Sequence, residues 1–124
     1  MKKAKEKAWK VFSIYIRLSA ADYEEYVRCI TCGIKKHYKK MQSGHFIPGR
    51  NNAVLFNEQG VHPQCYHCNI GLNGNWPAYY QWMKGMYGIE IIDQLIYESR
   101  QTVKYTLEDY QKIEKEYKEK VKQI

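Results

Sequence analysis

The chain has 124 residues, a usual size for a single domain, so one fold with appended helices is expected over residues 1–124. Its 20 basic and 13 acidic residues give a net charge of +7, which favours a polyanionic partner but does not identify it. No stretch approaches the roughly 18 consecutive apolar residues of a membrane helix, and the lysine-rich start lacks the apolar core of a signal peptide. We therefore expect a soluble, cytoplasmic protein without membrane contact.

An amphipathic helix is predicted near the N-terminus. The apolar side chains of Trp9, Phe12 and their neighbours fall on one stripe, and the lysines face away from it. The run from Ser19 to Asp22 has the spacing of a capping box, so a further helical turn is predicted to begin there. Residues 1–25 therefore form a predicted N-terminal helical segment.

The middle of the chain is predicted to form short strands and turns. β-favouring residues from Tyr26 to Ile30 predict a strand that leads into the first cysteine pair. From Ile34 to Leu55 the sequence is polar and interrupted by glycine, proline and paired asparagine, which predicts a hairpin and an ordered loop rather than a helix. With the second cysteine pair, these segments make residues 26–75 the predicted core.

Helices are predicted again over residues 76–124. Asn75 as an N-cap and the early proline Pro77 mark the beginning of the first helix. A second helix is predicted from Ile89 to Ser99. A capping box from Thr106 to Asp109 begins the last one, whose apolar residues recur at helical spacing.

Aromatic residues are concentrated between Trp76 and Tyr87. The helical spacing of Tyr79, Met83 and Met86 predicts that they pack under the zinc-centred core, which leaves one or two exposed rings for stacking on unpaired bases. Core packing is therefore the main role expected of this run.

The four cysteines form two pairs with 32 residues between them: Cys29 and Cys32, then Cys65 and Cys68. Two-residue spacing turns both thiolates of a pair toward one centre, and two such pairs complete a tetrahedral all-sulfur site, which Zn²⁺ prefers. Such a zinc has no open coordination position and is structural. Two disulfides, a redox role, and a site in which His67 or His37 replaces a cysteine are the weaker alternatives.

A histidine and an asparagine near the cysteines form a candidate catalytic pair. His45 lies between the two cysteine pairs, and Asn69 directly follows Cys68. In a treble-clef fold, a zinc knuckle, a hairpin and a helix follow one another, so these side chains would face each other across a small cleft. Hydrolysis of a phosphodiester needs a base for the attacking water and a cation beside the scissile phosphate, which are the roles expected of His45 and of a metal held by Asn69. Alternatively, His45 is a structural side chain and Asn69 a helix N-cap.

Five short motifs follow one another along the chain. They are W-x2-F-S-x-Y-I-R-L (Trp9–Leu18), C-I-T-C-G (Cys29–Gly33), G-H-F (Gly44–Phe46), V-H-P-Q-C-x2-C-N (Val61–Asn69) and L-x-G-N (Leu72–Asn75). In this order they resemble the Rap/NinG recombination endonucleases of bacteriophages, over roughly residues 8–98. The resemblance implies a four-cysteine zinc treble clef of the His-Me finger (HNH) type that cuts branched DNA, such as Holliday junctions and D-loops. More distantly, C-x2-C-N resembles phage junction-resolving endonucleases, in which the Asn at this position binds Mg²⁺.

Two positions depart from the wider HNH pattern. Many members carry an Asp as a second metal ligand immediately before the catalytic histidine, where this chain has Gly44, and the middle Asn of the pattern is replaced by Gly60. Asn69 is then the main protein ligand expected for a catalytic Mg²⁺, or for Mn²⁺ in its place, since Mg²⁺ retains several waters. Asn57 could brace the catalytic loop, or Glu58 could complete the metal shell.

Further candidate residues surround this pair. Arg50 is predicted to clamp the scissile phosphate, unless it simply faces solvent. His62 is either a member of the catalytic site or a hydrogen-bonding residue at a strand end. No acid lies between Glu25 and Glu58, so the basic residues of this span are expected to hold DNA phosphates rather than to form only a solvated surface. These residues are Lys35, Lys36, His37, Lys39, Lys40 and Arg50.

The sequence therefore predicts an α+β domain that is a structure-selective, metal-dependent DNA endonuclease. Two coordinated cuts would suit a homodimer with the C-terminal helix as a candidate interface, although the same stripe also fits packing inside the chain. The main alternative is a non-catalytic zinc module that binds DNA or a replication partner, and only His45 and Asn69 distinguish the two. A structural or RNA-binding phage protein is a weaker alternative.

Overall fold

The computed structural model describes residues 1–124 as five α-helices and four short strands. The helices are α1 (Lys2–Ser19), α2 (Asn52–Leu55), α3 (Trp76–Tyr87), α4 (Ile89–Ser99) and α5 (Leu107–Lys122). The strands are β1 (Tyr26–Arg28), β2 (Lys35–His37), β3 (Gln42–His45) and β4 (Val61–Gln64). There are also two short helical turns, which we call the basic turn (Tyr38–Lys40) and the Asn69 turn (His67–Gly71). None of the helices is both long and apolar enough to cross a membrane. The strands pair as two antiparallel hairpins, β1 with β2 and β3 with β4, so the mixed α+β class is confirmed.

The β1–β2 hairpin carries the first cysteine pair in its turn. Cys29 donates its backbone N–H to the Ile34 carbonyl at 2.8 Å, which closes the turn. Gly33 has a φ of +82°, a left-handed conformation that glycine adopts without steric cost. Val27 and Met41 pack against the buried cysteines and form a small core of their own.

The β3–β4 hairpin separates two sides of the molecule. Its register pairs Gly44 with His62 and His45 with Val61. Because successive side chains of a strand point to opposite faces, His45 and Val61 share one face and His62 lies on the other. The His45 ring stacks on Trp9 of α1, whereas the His62 ring contacts Trp82 of α3. Helices α1 and α3 therefore cover opposite faces of this hairpin.

Helix α5 packs on α1 and closes the first of these faces. Phe12, Tyr117 and Val61 belong to one buried cluster, in which the Phe12 and Tyr117 rings meet edge to face at 4.9 Å. Full burial of side chains of this size contributes roughly 1.5–3 kcal/mol each. The capping box at the start of α5 is confirmed, because the Thr106 hydroxyl accepts the Asp109 N–H at 3.1 Å and the Asp109 carboxylate accepts the Thr106 N–H at 2.8 Å.

The packing of α3 differs from the prediction. Tyr79 and Met83 are fully buried, but they pack on Phe46 and on α4 in a cluster separate from the cysteines, and Met86 is 58% exposed. The prediction that these side chains pack under the zinc-centred core therefore holds for Tyr79 and Met83, which contact Phe46 of that core, and was wrong for Met86. Gly88 alone joins α3 to α4, and Ile92 and Leu95 of α4 pack in the same cluster as Tyr79 and Met83 of α3.

Two local predictions were also wrong. No helical turn begins at Ser19, because the Asp22 carboxylate accepts the N–H groups of Glu24 and Tyr26, both at 3.0 Å, and forms a turn before β1. The loop after β3 contains the short helix α2, which begins where the Asn51 side chain accepts the N–H of Ala53. In both places a local side-chain hydrogen bond decides the backbone path.

Candidate functional site

Four sulfur atoms meet between the β1–β2 turn and the Asn69 turn. The Sγ atoms of all four cysteines lie within 4.8 Å of one another, and none forms a disulfide, which contradicts the alternative of two disulfides. Four thiolates gathered around one point are the donor set of a tetrahedral zinc site, so the cluster can hold a zinc ion. No histidine belongs to the cluster: His67 is exposed, and His37 contacts Glu25.

Hydrogen bonds reach the sulfurs, but the thiols respond differently: the pKa of Cys29 is lowered, whereas burial and the neighbouring thiols raise the pKa values of Cys32 and Cys65. The Cys68 N–H donates to Cys65 Sγ at 3.4 Å, and the Asn75 carboxamide donates to Cys68 Sγ at 3.6 Å. Burial disfavours ionisation of Cys29, but hydrogen bonds from the Thr31 hydroxyl and from nearby backbone N–H groups outweigh it and lower the pKa of this thiol to about 6. Asn75 precedes α3 as predicted, but its side chain binds a sulfur and does not cap the helix.

A cleft of about 620 Å³ lies between α1, β3 and the Asn69 turn. His45, Asn69 and Arg50 all line it, although they are distant in sequence. Trp9, Arg17 and other side chains of α1 form a further wall. The cleft therefore brings together three of the side chains that the sequence nominates for one site.

His45 is held from two sides. Its Nε2 atom lies 3.2 Å from the Leu55 carbonyl, and its ring stacks on Trp9 with 4.9 Å between ring centroids. Burial, with a smaller effect of the nearby Arg50 charge, lowers the pKa of His45 to about 4. The ring is therefore neutral at pH 7. Because a carbonyl only accepts, Nε2 carries the proton and Nδ1 keeps a free lone pair.

Arg50 also lies over the Trp9 ring. Its guanidinium carbon is 4.6 Å from the centroid of the Trp9 ring, a distance typical of a cation–π contact. The side chain is otherwise exposed at the cleft. Trp9 thus links the His45 ring and the Arg50 charge in one stack.

Asn69 projects from the Asn69 turn toward β3. Its Nδ2 atom donates to the side-chain oxygen of Gln42 at 2.6 Å, which fixes the plane of its carboxamide. It lies inside the helical turn, so it is not the N-cap that the alternative expected. Its backbone N–H donates to the Cys65 carbonyl at 2.9 Å, and this contact ties its position to the cysteine cluster.

Gln64 lies beside Asn69 and had no predicted role. Its side chain is fully buried, and its Nε2 atom donates to the Gly74 carbonyl at 2.8 Å. Its Oε1 atom has no hydrogen-bond partner. A Cβ atom on Gly44 would lie 1.8 Å from this oxygen, so only glycine fits at that position while Gln64 keeps its conformation.

The structure places Asn57 and Glu58 away from the cleft. The Asn57 carboxamide donates to Glu98 of α4 at 3.2 Å. The Glu58 carboxylate accepts from the Tyr117 hydroxyl at 2.6 Å and from the Lys120 ammonium at 2.9 Å, so it anchors α5. Neither side chain lines the site that contains His45 and Asn69.

His62 is separated from His45 by the hairpin itself. Its Nε2 atom lies 2.7 Å from the Gln59 carbonyl, and its ring is packed among Trp82, Tyr87 and Tyr79. Burial lowers the pKa of His62 to about 4. Its contacts are those of the hydrogen-bonding alternative, and it does not line the cleft.

Two of the basic residues between the cysteine pairs have acidic partners. Lys35 binds Asp22 at 2.8 Å, and His37 lies 3.5 Å from Glu25. The other lysines predicted to hold phosphates have no ion-pair partner; they are Lys36, Lys39 and Lys40. Arg17 donates to the Tyr38 carbonyl at 2.8 Å, so the basic turn is tied directly to the wall of the cleft.

The prediction missed the contribution of α1 to the site. Trp9, Ser13 and Arg17 are spaced four residues apart, which places them on one face of α1, and all three line the cleft. The Ser13 and Ser43 hydroxyls form a hydrogen bond of 2.8 Å that joins this face to β3. Polar residues at helical spacing inside an otherwise apolar stripe are the sequence signal that could have identified this face.

Comparison with known proteins identifies relatives from bacteriophage lambda. A family model described as "Bacteriophage Lambda NinG protein" matches residues 1–124. The chain is also similar to "Protein ninG" of Escherichia phage lambda, with 29% identity over 97 residues. That match covers 77% of this chain and 47% of the phage protein, so the chain spans about half the length of the curated relative that it matches. No solved structure matches.

Proposed function

The chain belongs to the bacteriophage lambda NinG family, and we propose that it is a metal-dependent endonuclease that hydrolyses phosphodiester bonds in branched DNA. The observation that carries the proposal is that His45, Asn69 and Arg50 line one cleft. The fold proposed for it is the treble clef of the His-Me finger (HNH) type. Knuckle, hairpin and helical turn follow one another in the order that this fold requires.

His45 is the proposed general base. A neutral imidazole with a free lone pair can take a proton from the attacking water, and the low pKa of His45 keeps the ring neutral at pH 7. Because Nε2 is bonded to the Leu55 carbonyl, Nδ1 is the atom that would accept this proton. The stacked Trp9 ring holds the imidazole in one orientation.

Asn69 is the proposed protein ligand of a divalent cation, Mg²⁺ or Mn²⁺. A carboxamide oxygen is a hard ligand of the kind that Mg²⁺ prefers, and Asn69 Oδ1 lies 3.2 Å from the position that a Cβ on Gly44 would take. When bound, such a cation would stabilise the charge that develops on the scissile phosphate and on the leaving oxygen. Asn57 and Glu58, which lie outside the cleft, have no part in this proposal.

Phosphate binding is assigned to the basic residues around the cleft. Arg50 is exposed, and the Trp9 ring orients its guanidinium, so it can form bidentate hydrogen bonds with a phosphate. Lys36, Lys39 and Lys40, which have no acidic partner, would extend this contact along the DNA backbone. Trp76 stacks on Phe46 and is 42% exposed, so it offers a face to an unpaired base at a branch point.

The cysteine cluster is proposed to hold a structural zinc. Four sulfur ligands leave no coordination position for substrate, and the Asn69 turn begins directly beyond the second cysteine pair. Zinc would therefore fix the distance between Asn69 and His45 rather than take part in hydrolysis. Chelation of zinc should unfold this half of the molecule and end cleavage.

Cleavage assays on four-way, flapped and linear DNA with Mg²⁺ test the proposal. The wild-type chain is expected to cut the branched substrates in preference to linear duplex, and His45→Ala is expected to bind the same DNA without cutting it. Absence of cutting with any divalent cation would favour the non-catalytic DNA-binding module. Cutting that survives His45→Ala would refute the assigned base.

A homodimer is the proposed way to make two coordinated cuts in a junction. The apolar stripe of α5 is an unsuitable interface, because Tyr110 and Tyr117 are already buried inside the chain. A dimer would have to use another surface. Sedimentation of the chain with and without a four-way junction distinguishes a monomer from a dimer that forms on DNA.

A further inference from the structure

The side-chain oxygen of Gln64 is the one buried side-chain polar atom in the molecule without a hydrogen-bond partner. Native structures almost always pair such atoms, since an unpaired buried carbonyl costs free energy. Gln64 is fully buried on β4, and its Nε2 atom donates to the carbonyl of Gly74, which lines the cleft together with Asn69. The missing partner of this oxygen therefore requires an explanation.

The orientation of the Gln64 carboxamide is determined by its nitrogen. Nε2 donates to the Gly74 carbonyl at 2.8 Å and to the Thr31 hydroxyl at 3.2 Å. Turning the carboxamide over would place Oε1 against the Gly74 carbonyl, and two oxygens without a proton between them repel. Oε1 must therefore point away from Gly74, toward Gly44 of the neighbouring strand.

A second carboxamide oxygen faces the same place. A Cβ atom on Gly44 would lie 1.8 Å from Gln64 Oε1 and 3.2 Å from Asn69 Oδ1, so these two oxygens are at most 5.0 Å apart. Neighbouring oxygens around Mg²⁺ lie about 3 Å apart, since each is 2.0–2.1 Å from the ion. Because Gly44 has no side chain, Gln64 Oε1 can occupy this place beside Asn69 Oδ1.

We infer that Gln64 Oε1 and Asn69 Oδ1 together are the protein ligands of a hard divalent cation, Mg²⁺ or Mn²⁺, which binds beside Gly44 at the part of the cleft that Asn69 lines. This inference rests on the proposed function, for which it supplies the second ligand. Both ligands are neutral, so the remaining coordination positions and the balancing negative charge come from water and from substrate phosphate. The cation then binds weakly to the free protein and strongly only with DNA.

Nuclear magnetic resonance of the wild-type chain with Mn²⁺ alone tests the inference without any substitution. Mn²⁺ broadens resonances of nearby nuclei, so the side-chain NH₂ signals of Gln64 and Asn69 are expected to disappear first. The NH₂ signals of Asn57 and of the exposed Gln101, which follows α4, serve as controls, because neither side chain lines the cleft. A Gln64 signal that persists as long as that of Asn57 would overturn the inference.

Substitutions at Gln64 give an independent test. Gln64→Met keeps the size of the side chain but removes the oxygen, and should weaken Mn²⁺ binding at least about tenfold. Gln64→Glu adds a charged oxygen at the same place and should strengthen binding by a similar factor, whereas Gln59→Glu, which adds the same charge at an exposed position, should not. Zinc content and circular dichroism show whether each variant is folded. If Gln64→Met is unfolded, an unchanged or weaker affinity of Gln64→Glu would still contradict the inference.

His45→Ala separates this inference from the proposed function. The variant is expected to keep the Mn²⁺ broadening at Gln64 and to lose cleavage. Broadening at Gln64 in a wild-type chain that cuts no DNA would support the cation site and contradict the proposed nuclease function. Efficient cleavage without any effect of Mn²⁺ on the Gln64 signal would contradict the assignment of Gln64 as a ligand and leave the proposed function unaffected.

Discussion

The two faces of the β3–β4 hairpin each carry one histidine, and the two histidines have similar hydrogen bonds and similar pKa values. Both bond through Nε2 to a backbone carbonyl, and burial lowers the pKa of both to about 4. They differ in access, since His45 lines the cleft next to Trp9, while His62 is packed among the aromatic rings of α3 and its C-terminal end. Burial and a low pKa therefore do not distinguish the proposed catalytic histidine from His62, and only their neighbours do: His45 lines the cleft and His62 does not.

The largest difference between the faces is expected from replacing each histidine. His45→Ala should lower the rate of junction cleavage by about 10²–10⁴-fold, the usual contribution of a general base. His62→Ala should lower the melting temperature and leave the rate per folded molecule unchanged. Single-turnover cleavage with saturating Mg²⁺, with zinc content as a measure of folding, compares them. Equal losses of rate would show that the two faces act as one site.

The asparagines allow a similar comparison for the cation. Asn69→Ala should raise the Mg²⁺ concentration needed for half-maximal cleavage by roughly 10–100-fold, because a ligand oxygen is lost. Asn57→Ala should leave that concentration unchanged, since Asn57 binds Glu98 and not the cleft. Titration of Mg²⁺ at constant DNA concentration measures both values. If Asn57→Ala raised this Mg²⁺ concentration more than Asn69→Ala does, Asn57 would have the role in the site that the sequence predicted.

Two tryptophans provide a smaller contrast. Trp9→Ala removes the ring that contacts both His45 and Arg50. Because this ring positions the base, kcat should fall on the order of tenfold, and Trp9→Phe should restore most of the lost rate. Trp82→Ala removes a neighbour of His62 and should affect only the melting temperature. The rate under saturating DNA separates positioning from loss of folded protein. An unchanged kcat in Trp9→Ala would show that the stack is only structural.

The smallest expected effect is that of pH. The base form of His45 is the neutral ring, which is present above its pKa of about 4. The cleavage rate should therefore change less than about twofold between pH 7 and pH 5 and fall about tenfold per unit below pH 4. The zinc content at each pH must stay constant for this comparison. A midpoint near pH 6.5 would show that the His45 ring titrates as an exposed histidine does.

Much of the fold could be predicted because its signals are local. Helix α1, helix α4 and the Thr106 capping box follow from apolar periodicity and capping residues, which act within a few turns. The cysteine cluster follows from the spacing of its two pairs. The errors at Ser19 and at Met86 arose where the same patterns depend on neighbours: a competing turn at Asp22, and the side of α3 that α4 covers.

The candidate site was predictable only in part. His45, Asn69 and Arg50 line one cleft, but Asn57, Glu58 and His62 do not. Residues close in sequence to a site separate easily in space, because a loop turns away within a few residues. The contribution of α1, through Trp9 and Arg17, lay in a helix that sequence patterns describe only as amphipathic.

The sequence by itself determined the secondary structure of the longer helices, the four-sulfur cluster and the excess of positive charge, because periodicity, ligand spacing and composition need no knowledge of neighbours. Only the tertiary structure decided which polar side chains share a cleft. The register of β3 against β4 puts His45 and His62 on opposite faces, and it sets the Gln64 oxygen against the bare backbone of Gly44. Register depends on contacts between strands that are distant in the chain, so no local pattern contains it.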